Sequence, residues 1–207
     1  TVNDPVFEEF LGTSQELIEH MTSTINDFRH FFKTNKEIEV FDATETVLST
    51  IRILEPQMKE SRISYNVKCS CQHNDFEAKN CTIGKNHKCH YSIKGLSNEF
   101  RHAVINIIQN AKDELKKTEN PEKEINIRMS CNGSFTLCIE DNGEGIKDEV
   151  LEDIFDQHFT MKEEGTGLGL HLTRQIIEKM HGKVWAESST QGAKFFINLP
   201  ADNVILN

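Results

Sequence analysis

FTLCIEDNGEGI, residues 135–146, is the stretch on which the fold turns. Residues 135–140 read as a strand, paired with a second strand over 125–129 across Asn132-Gly133, a strong hairpin signal. The strand runs directly into Asp141-Asn142-Gly143-Glu144-Gly145-Ile146. Gly143 and Gly145 permit a tight turn and close backbone approach to a flat ligand. The carboxylate of Asp141, at a strand end, can accept a hydrogen bond from the exocyclic amine of adenine. Guanine presents an acceptor there, so the same group selects against it. Taken alone, an ordinary glycine turn with a capping aspartate is the better reading.

Upstream, residues 98–117 read as a helix carrying Asn106-Ile107-Ile108-Gln109-Asn110-Ala111-Lys112-Asp113. Asn106 and Asn110 are one helical turn apart and project from one face. Two amide oxygens there can hold a hydrated Mg²⁺ and a phosphate without adding negative charge, and Mg²⁺ takes few protein ligands. The plainer alternative is local back-bonding by Asn106 and simple exposure of Asn110. Downstream, Gly165-Thr166-Gly167-Leu168-Gly169-Leu170 opens a helix running to about residue 180. Backbone N–H groups freed by glycines at a helix start form an anion site. No strand feeds this segment as in a dinucleotide fingerprint, and no Lys-Ser or Lys-Thr follows it as in a Walker loop. Phe155, Phe159, Thr160 and Lys162, ending in Glu163-Glu164-Gly165, have the composition of a lid: aromatic anchors, a cation for phosphate and a glycine hinge.

The remaining chain supplies strands over 39–41, 63–68 and 91–93, a helix capped by Asp42 and running to about residue 60, and a closing strand pair over 183–187 and 194–199. Hairpin-paired strands with helices between them predict an α+β fold: a two-layer sandwich of one mixed sheet covered by helices on a single face. Residues 6–33 read as one long helix, with Phe7, Leu11, Ser14, Ile18, Met21, Ile25, Phe28 and Phe32 in a heptad seam that wants a partner helix, the plainer alternative being an amphipathic helix lying on its own domain. The expected domains are 1–38, the stem, and 39–207.

A net charge of −10 over 207 residues argues against nucleic-acid binding, which needs clustered Lys and Arg. No apolar run reaches the roughly 20 residues that cross a bilayer, and TVNDPVFEEF lacks a signal-peptide pattern. The expected location is cytoplasmic, with any membrane anchor belonging to a longer parent chain.

Together, in this order and spacing, the segments resemble the ATP-binding domain shared by sensor histidine kinases, gyrase-type topoisomerases, the ninety-kilodalton heat-shock chaperones and mismatch-repair ATPases. Residues 106–113 resemble its N box, 141–146 its first glycine box, 155–162 its F box and 165–170 its second. The likeness spans 41–200 and is nearest the histidine kinase branch. Hydrolysing members carry a glutamate four residues before the Mg²⁺-binding asparagine, where this chain has Asn106. Thr24-Ile25-Asn26-Asp27-Phe28-Arg29 resembles the second helix of the kinases' dimerisation stem. The resemblance implies ATP and Mg²⁺ as ligands, with Asn110 on Mg²⁺, Asn106 assisting and Asp141 on adenine. Lys162 and Lys112 would neutralise phosphate charge, and Gly165, Thr166, Gly167, Leu168 and Gly169 would cradle it. Asp113, Gly143, Gly145, Ile146, Phe159 and Thr160 complete the implied pocket. It further implies transfer of the γ-phosphoryl to a stem histidine and thence to a response-regulator aspartate, with homodimerisation through the stem. No histidine here has the acceptor setting, since His20 and His30 fall on the outer face of the seam, so the chain reads as lacking the first stem helix. Gln157-His158-Phe159 replaces the usual Pro-Phe-Phe, and Gly192-Ala193 the usual Gly-Thr. A rival reading is a nucleotide-gated interaction module that transfers nothing.

Cys69, Cys71, His73, Cys81, His87, Cys89 and His90 crowd one loop. Thiolates and imidazoles so placed could hold Zn²⁺ or sense redox state. The spacing is not the paired C-x₂-C of common zinc modules, and a polar hairpin extension with incidental thiols is the preferred reading.

Overall fold

The computed structural model describes residues 38–70, 75–79, 90–160 and 166–205. The stem expected over 1–38 lies outside them, Ile38 apart. Strand β1 (Glu39–Asp42) leads into helix α1 (Ala43–Glu60). The Asp42 carboxylate caps that helix, accepting from the amides of Thr44 at 2.9 Å and Glu45 at 3.2 Å, as the sequence suggested. Val47, Leu48, Ile51, Leu54 and Met58 form its buried stripe, and Arg62, at φ +55°, turns the chain into β2 (Ile63–Ser70). β3 (Asp75–Lys79) and β4 (Ser92–Gly95) follow, then α2 (Ser97–Lys117). β5 (Lys123–Asn132) and β6 (Ser134–Asp141) form the hairpin around Gly133, which takes φ +81° at the turn. Short 3-10 turns at Asp148–Val150 and Asp153–Phe155 precede α3 (Gly169–Lys179). β7 (Lys183–Ser189), β8 (Gly192–Leu199) and β9 (Val204–Ile205) close the described chain.

Six strands form one mixed sheet in the order β3-β2-β5-β6-β8-β7, in which β2 and β5 run parallel and every other pair antiparallel. Helices cover one face. The inward residues of the strands, among them Val67, Ile127, Leu137 and Ile197, meet Phe100, Val104, Ile107, Ile108 and Leu115 of α2 in a single core. Phe100 and Phe135 meet edge-on at 6.2 Å, and Tyr91 lies 5.4 Å from Phe135. Burying one such ring stabilises the fold by about 1.5–3 kcal/mol.

Two features depart from the sequence reading. A separate three-stranded sheet, β1-β4-β9, stands beside the large one, where a single sheet was expected. Its strands have two to four residues, too short for alternation to register, and Phe41 pairs with Ile93, which pairs with Val204. Residues 75–79, read as loop, form an edge strand antiparallel to β2.

Candidate functional site

The turn after β6, the turn between β7 and β8, and the C-terminal half of α2 meet at the C-terminal end of β6. Asp141 closes that strand and is 3% exposed. Its Oδ1 accepts from the amides of Gly143 at 3.0 Å and Ala193 at 3.5 Å. Burial pushes this carboxyl above its ordinary range, the two backbone amides pull it down, and the charges of Glu114 and Glu140 push it up again. A nearly buried carboxylate with one oxygen held by backbone leaves the other as an acceptor of fixed direction.

The turn after Asp141 is locked from both sides. Asn142 accepts from the Glu124 amide at 2.8 Å and donates to the Glu122 carbonyl at 2.5 Å. The Ile146 amide donates to Ser188 Oγ at 2.6 Å. Gly145 takes φ +79°, and a Cβ there would stand 2.2 Å from the Ser189 carbonyl oxygen, so no other residue fits. At Gly192 a Cβ would fall 1.9 Å from the carbonyl oxygen of Asp141. Strand β8 can thus cross close enough for the Ala193 amide to reach the carboxylate.

Asn106 lies on α2 and is 7% exposed. Its Nδ2 donates to the Gly169 carbonyl at 3.0 Å and to Thr173 Oγ1 at 3.4 Å, tying α2 to the start of α3. Asn110 and Asp113 follow on the same half-buried stripe. Glu114, one turn beyond Asn110, reaches the first glycine turn: a Cβ on Gly143 would be 3.1 Å from Glu114 Cγ. From Asn106 to Glu114 the helix rises about 12 Å, comparable to the reach of a nucleoside triphosphate from base to phosphates. Lys112 does not join this face. It is buried on the other side of α2, where Nζ donates to Gln57 Oε1 of α1 at 2.7 Å. Two positions past Asn110 a side chain points about 200° away, which corrects its assignment to phosphate.

Leu168, at the N-cap of α3, makes no side-chain capping bond, and backbone amides at a helix start suit an anion. Thr166 Oγ1 accepts from the Leu168 amide at 3.4 Å, and Gly167, at φ +66°, is pressed on the His158 backbone, 2.4 Å from where its Cβ would lie. His158 itself takes φ +68°. The second glycine segment and the aromatic segment therefore touch. Phe155 is buried against Phe195 at 6.4 Å with the Arg174 guanidinium 5.0 Å above its ring, while Phe159 is partly buried and Thr160 exposed. Lys162 and Gly165 lie outside the described residues.

Of the Cys/His cluster, Cys71, His73, Cys81, His87 and Cys89 also lie outside them. Cys69 is 1% exposed within the core, and His90 is exposed and bonded to Asp42. Among the described residues no group of three or more His, Cys, Asp or Glu could hold a metal ion. The sequence reading missed Glu114, Ser188 and Thr173. Glu114 was findable as the helical neighbour of Asn110, whereas nothing local marks the other two.

The family described as Histidine kinase-, DNA gyrase B-, and HSP90-like ATPase matches residues 95–203. The sensor protein kinase WalK of Staphylococcus haemolyticus is 27% identical over 213 residues, which cover 97% of this chain and 32% of that protein. The crystal structure of full-length ShkA in complex with AMPPNP superposes with a TM-score of 0.70 at 19% identity, covering 93% of this chain and 38% of that one. Histidine kinase ThkA in complex with response regulator protein TrrA does so with a TM-score of 0.66 at 17% identity, covering 97% and 53%. The chain spans between 12% and 32% of the length of the curated relatives it matches. No described helix is long and apolar enough to cross a membrane.

Proposed function

Because the chain belongs to the histidine kinase-, DNA gyrase B- and HSP90-like ATPase family, we propose that it is the ATP-binding catalytic region of a sensor histidine kinase. The observation that carries this reading is Asp141, buried, braced by the amides of Gly143 and Ala193, and linked through the Glu114-to-Asn106 face of α2 to the start of α3. In this reading its second oxygen accepts from the adenine amine, and the triphosphate runs along α2 to the amides of α3. Such phosphoryl transfer rests on positioning and charge neutralisation.

The amide oxygens of Asn106 and Asn110 are hard, uncharged donors on one helix face and fit Mg²⁺. With Nδ2 of Asn106 committed to α3, its oxygen has a fixed orientation. Bound beside the triphosphate, Mg²⁺ would supply charge neutralisation, with Asn110 as its principal ligand. The parent protein would dimerise through the stem, pass the γ-phosphoryl to a stem histidine and then to a response regulator. The named complex of ThkA with TrrA is consistent with that partner. Asn106, lacking a basic carboxylate, favours transfer over hydrolysis.

The test uses γ-labelled ATP with Mg²⁺ on this chain and on the full-length protein that carries it. Both should bind ATP, and only the full-length protein should acquire acid-labile phosphate. Label on His20 or His30 of the 207-residue chain would overturn the reading of the stem. Binding with no transfer by the full-length protein would make the region a nucleotide-gated module instead.

A further inference from the structure

Glu114 of α2 stands beside Asp141, both meeting Gly143. Its stem packs over Gly143, with Cγ 3.1 Å from where a Cβ on that glycine would stand. The amide of the same glycine donates to Asp141 Oδ1 at 3.0 Å. The two carboxylates therefore flank one peptide unit. The Glu114 side chain is 30% exposed and pairs along its own helix with Lys117, whose Nζ lies 3.4 Å from Oε2. From β6, Glu140 adds further negative charge, but it lies on the outer face of the sheet between Arg128 at 2.7 Å and Lys194 at 3.1 Å. From β8 the uncharged backbone of Gly192 and the Ala193 amide face Asp141.

A buried carboxylate beside a second one is an electrostatic filter. The pair deepens the negative potential at the rim of the base pocket, which attracts an N–H donor and repels a carbonyl oxygen placed at the same point. Like charges this close also make the buried member harder to ionise, in keeping with the upward push that Glu114 exerts on Asp141. Resting on the nucleotide reading above, we propose that Glu114 is a positioning residue for base selection, which acts through Asp141 to widen the preference for a 6-amino over a 6-oxo purine.

The test compares Mg-ATP with Mg-ITP, which exchange the 6-amine for a 6-carbonyl and keep the phosphates unchanged. Calorimetry on the whole chain gives the ratio of affinities for wild type, Glu114→Gln and Lys117→Ala. Glu114→Gln should reduce the ATP-to-ITP ratio by about two- to fivefold, the range of a partly exposed charge interaction. Lys117→Ala, which frees Glu114 of its cation, should move the ratio the other way. In Glu114→Gln the acid limit of ATP binding should also move to lower pH by a few tenths of a unit, because Asp141 ionises more easily. A merely structural Glu114 would leave the ratio and the pH limit alone, so either one staying at the wild-type value overturns the proposal. If the wild-type chain does not prefer ATP to ITP, the adenine assignment of Asp141 fails before Glu114 is reached. Thermal melting of each variant checks that the fold is kept.

Discussion

Replacing Asp141 by Asn should move stability and affinity in opposite directions. The amide can keep its oxygen on the Gly143 and Ala193 amides, at 3.0 and 3.5 Å, and so turns Nδ2 outward, setting a donor where the adenine amine needs an acceptor. Loss of a charge-assisted hydrogen bond in a buried pocket costs about 1.5–3 kcal/mol, and at about 1.36 kcal/mol per decade this weakens Mg-ATP binding by about 10- to 150-fold. The free protein behaves differently. Burial, the largest influence, holds the Asp141 carboxyl above its ordinary range. Between the unfolded and folded values the native state binds more protons than the unfolded one, so stability falls as pH climbs through that window. Below the ordinary carboxylate range the acid is neutral in both states and the penalty is absent; above the raised value it is fully present. Asn never carries it. Urea melts across the acid-to-neutral range should show the variant gaining on wild type as pH rises through this window, keeping the gain at neutral pH and converging in acid. Titration calorimetry at neutral pH gives the loss of affinity. A folded variant that binds ATP as tightly as wild type refutes the acceptor role, and a pH-independent loss of stability refutes the account of burial.

Gly145→Ala should destabilise the fold by more than about 1 kcal/mol, because φ +79° and a Cβ 2.2 Å from the Ser189 carbonyl oxygen force the turn to move; an unchanged melting temperature in calorimetric scans would show the turn adopts another shape. Lys112→Met removes the 2.7 Å bond to Gln57 Oε1 that ties α1 to α2. It should lower the urea midpoint yet leave the calorimetric ATP affinity at the wild-type value, and a drop in affinity would return Lys112 to the phosphates.

Much of this was legible from local chemistry. The Asp42 cap, the Asn132-Gly133 hairpin and the strand into Asp141 each need only a few adjacent residues, and all three stand as read. The stripe of Asn106, Asn110 and Asp113 follows from helical geometry alone. What failed to show depends on contacts far apart in sequence. Whether β4 joins the large sheet or pairs with β1 and β9 is settled by residues 39–42 and 204–205, which carry no pattern of their own. Lys112 was read by its charge, but its direction is set by the helix phase that buries Ala111 and Leu115 beside it. The Ser188 contact to Ile146 joins residues 42 apart, and only the folded β7 edge brings them together.

The tether at Asn106 also bears on how one branch of this family could turn into another. A glutamate at this position, as in the hydrolysing members, has no N–H to give. It would set a carboxylate against the Gly169 carbonyl, acceptor against acceptor, while the Thr173 hydroxyl is already donating to that same carbonyl at 2.9 Å. The start of α3 would lose its anchor at the moment a base was installed. In this scaffold a glutamate at position 106 would therefore bring its carboxylate at the cost of the tether between α2 and α3. The Gly169 carbonyl would keep its Thr173 partner, but the bond from α2 would be gone, so the asparagine is held in place by architecture as much as by chemistry.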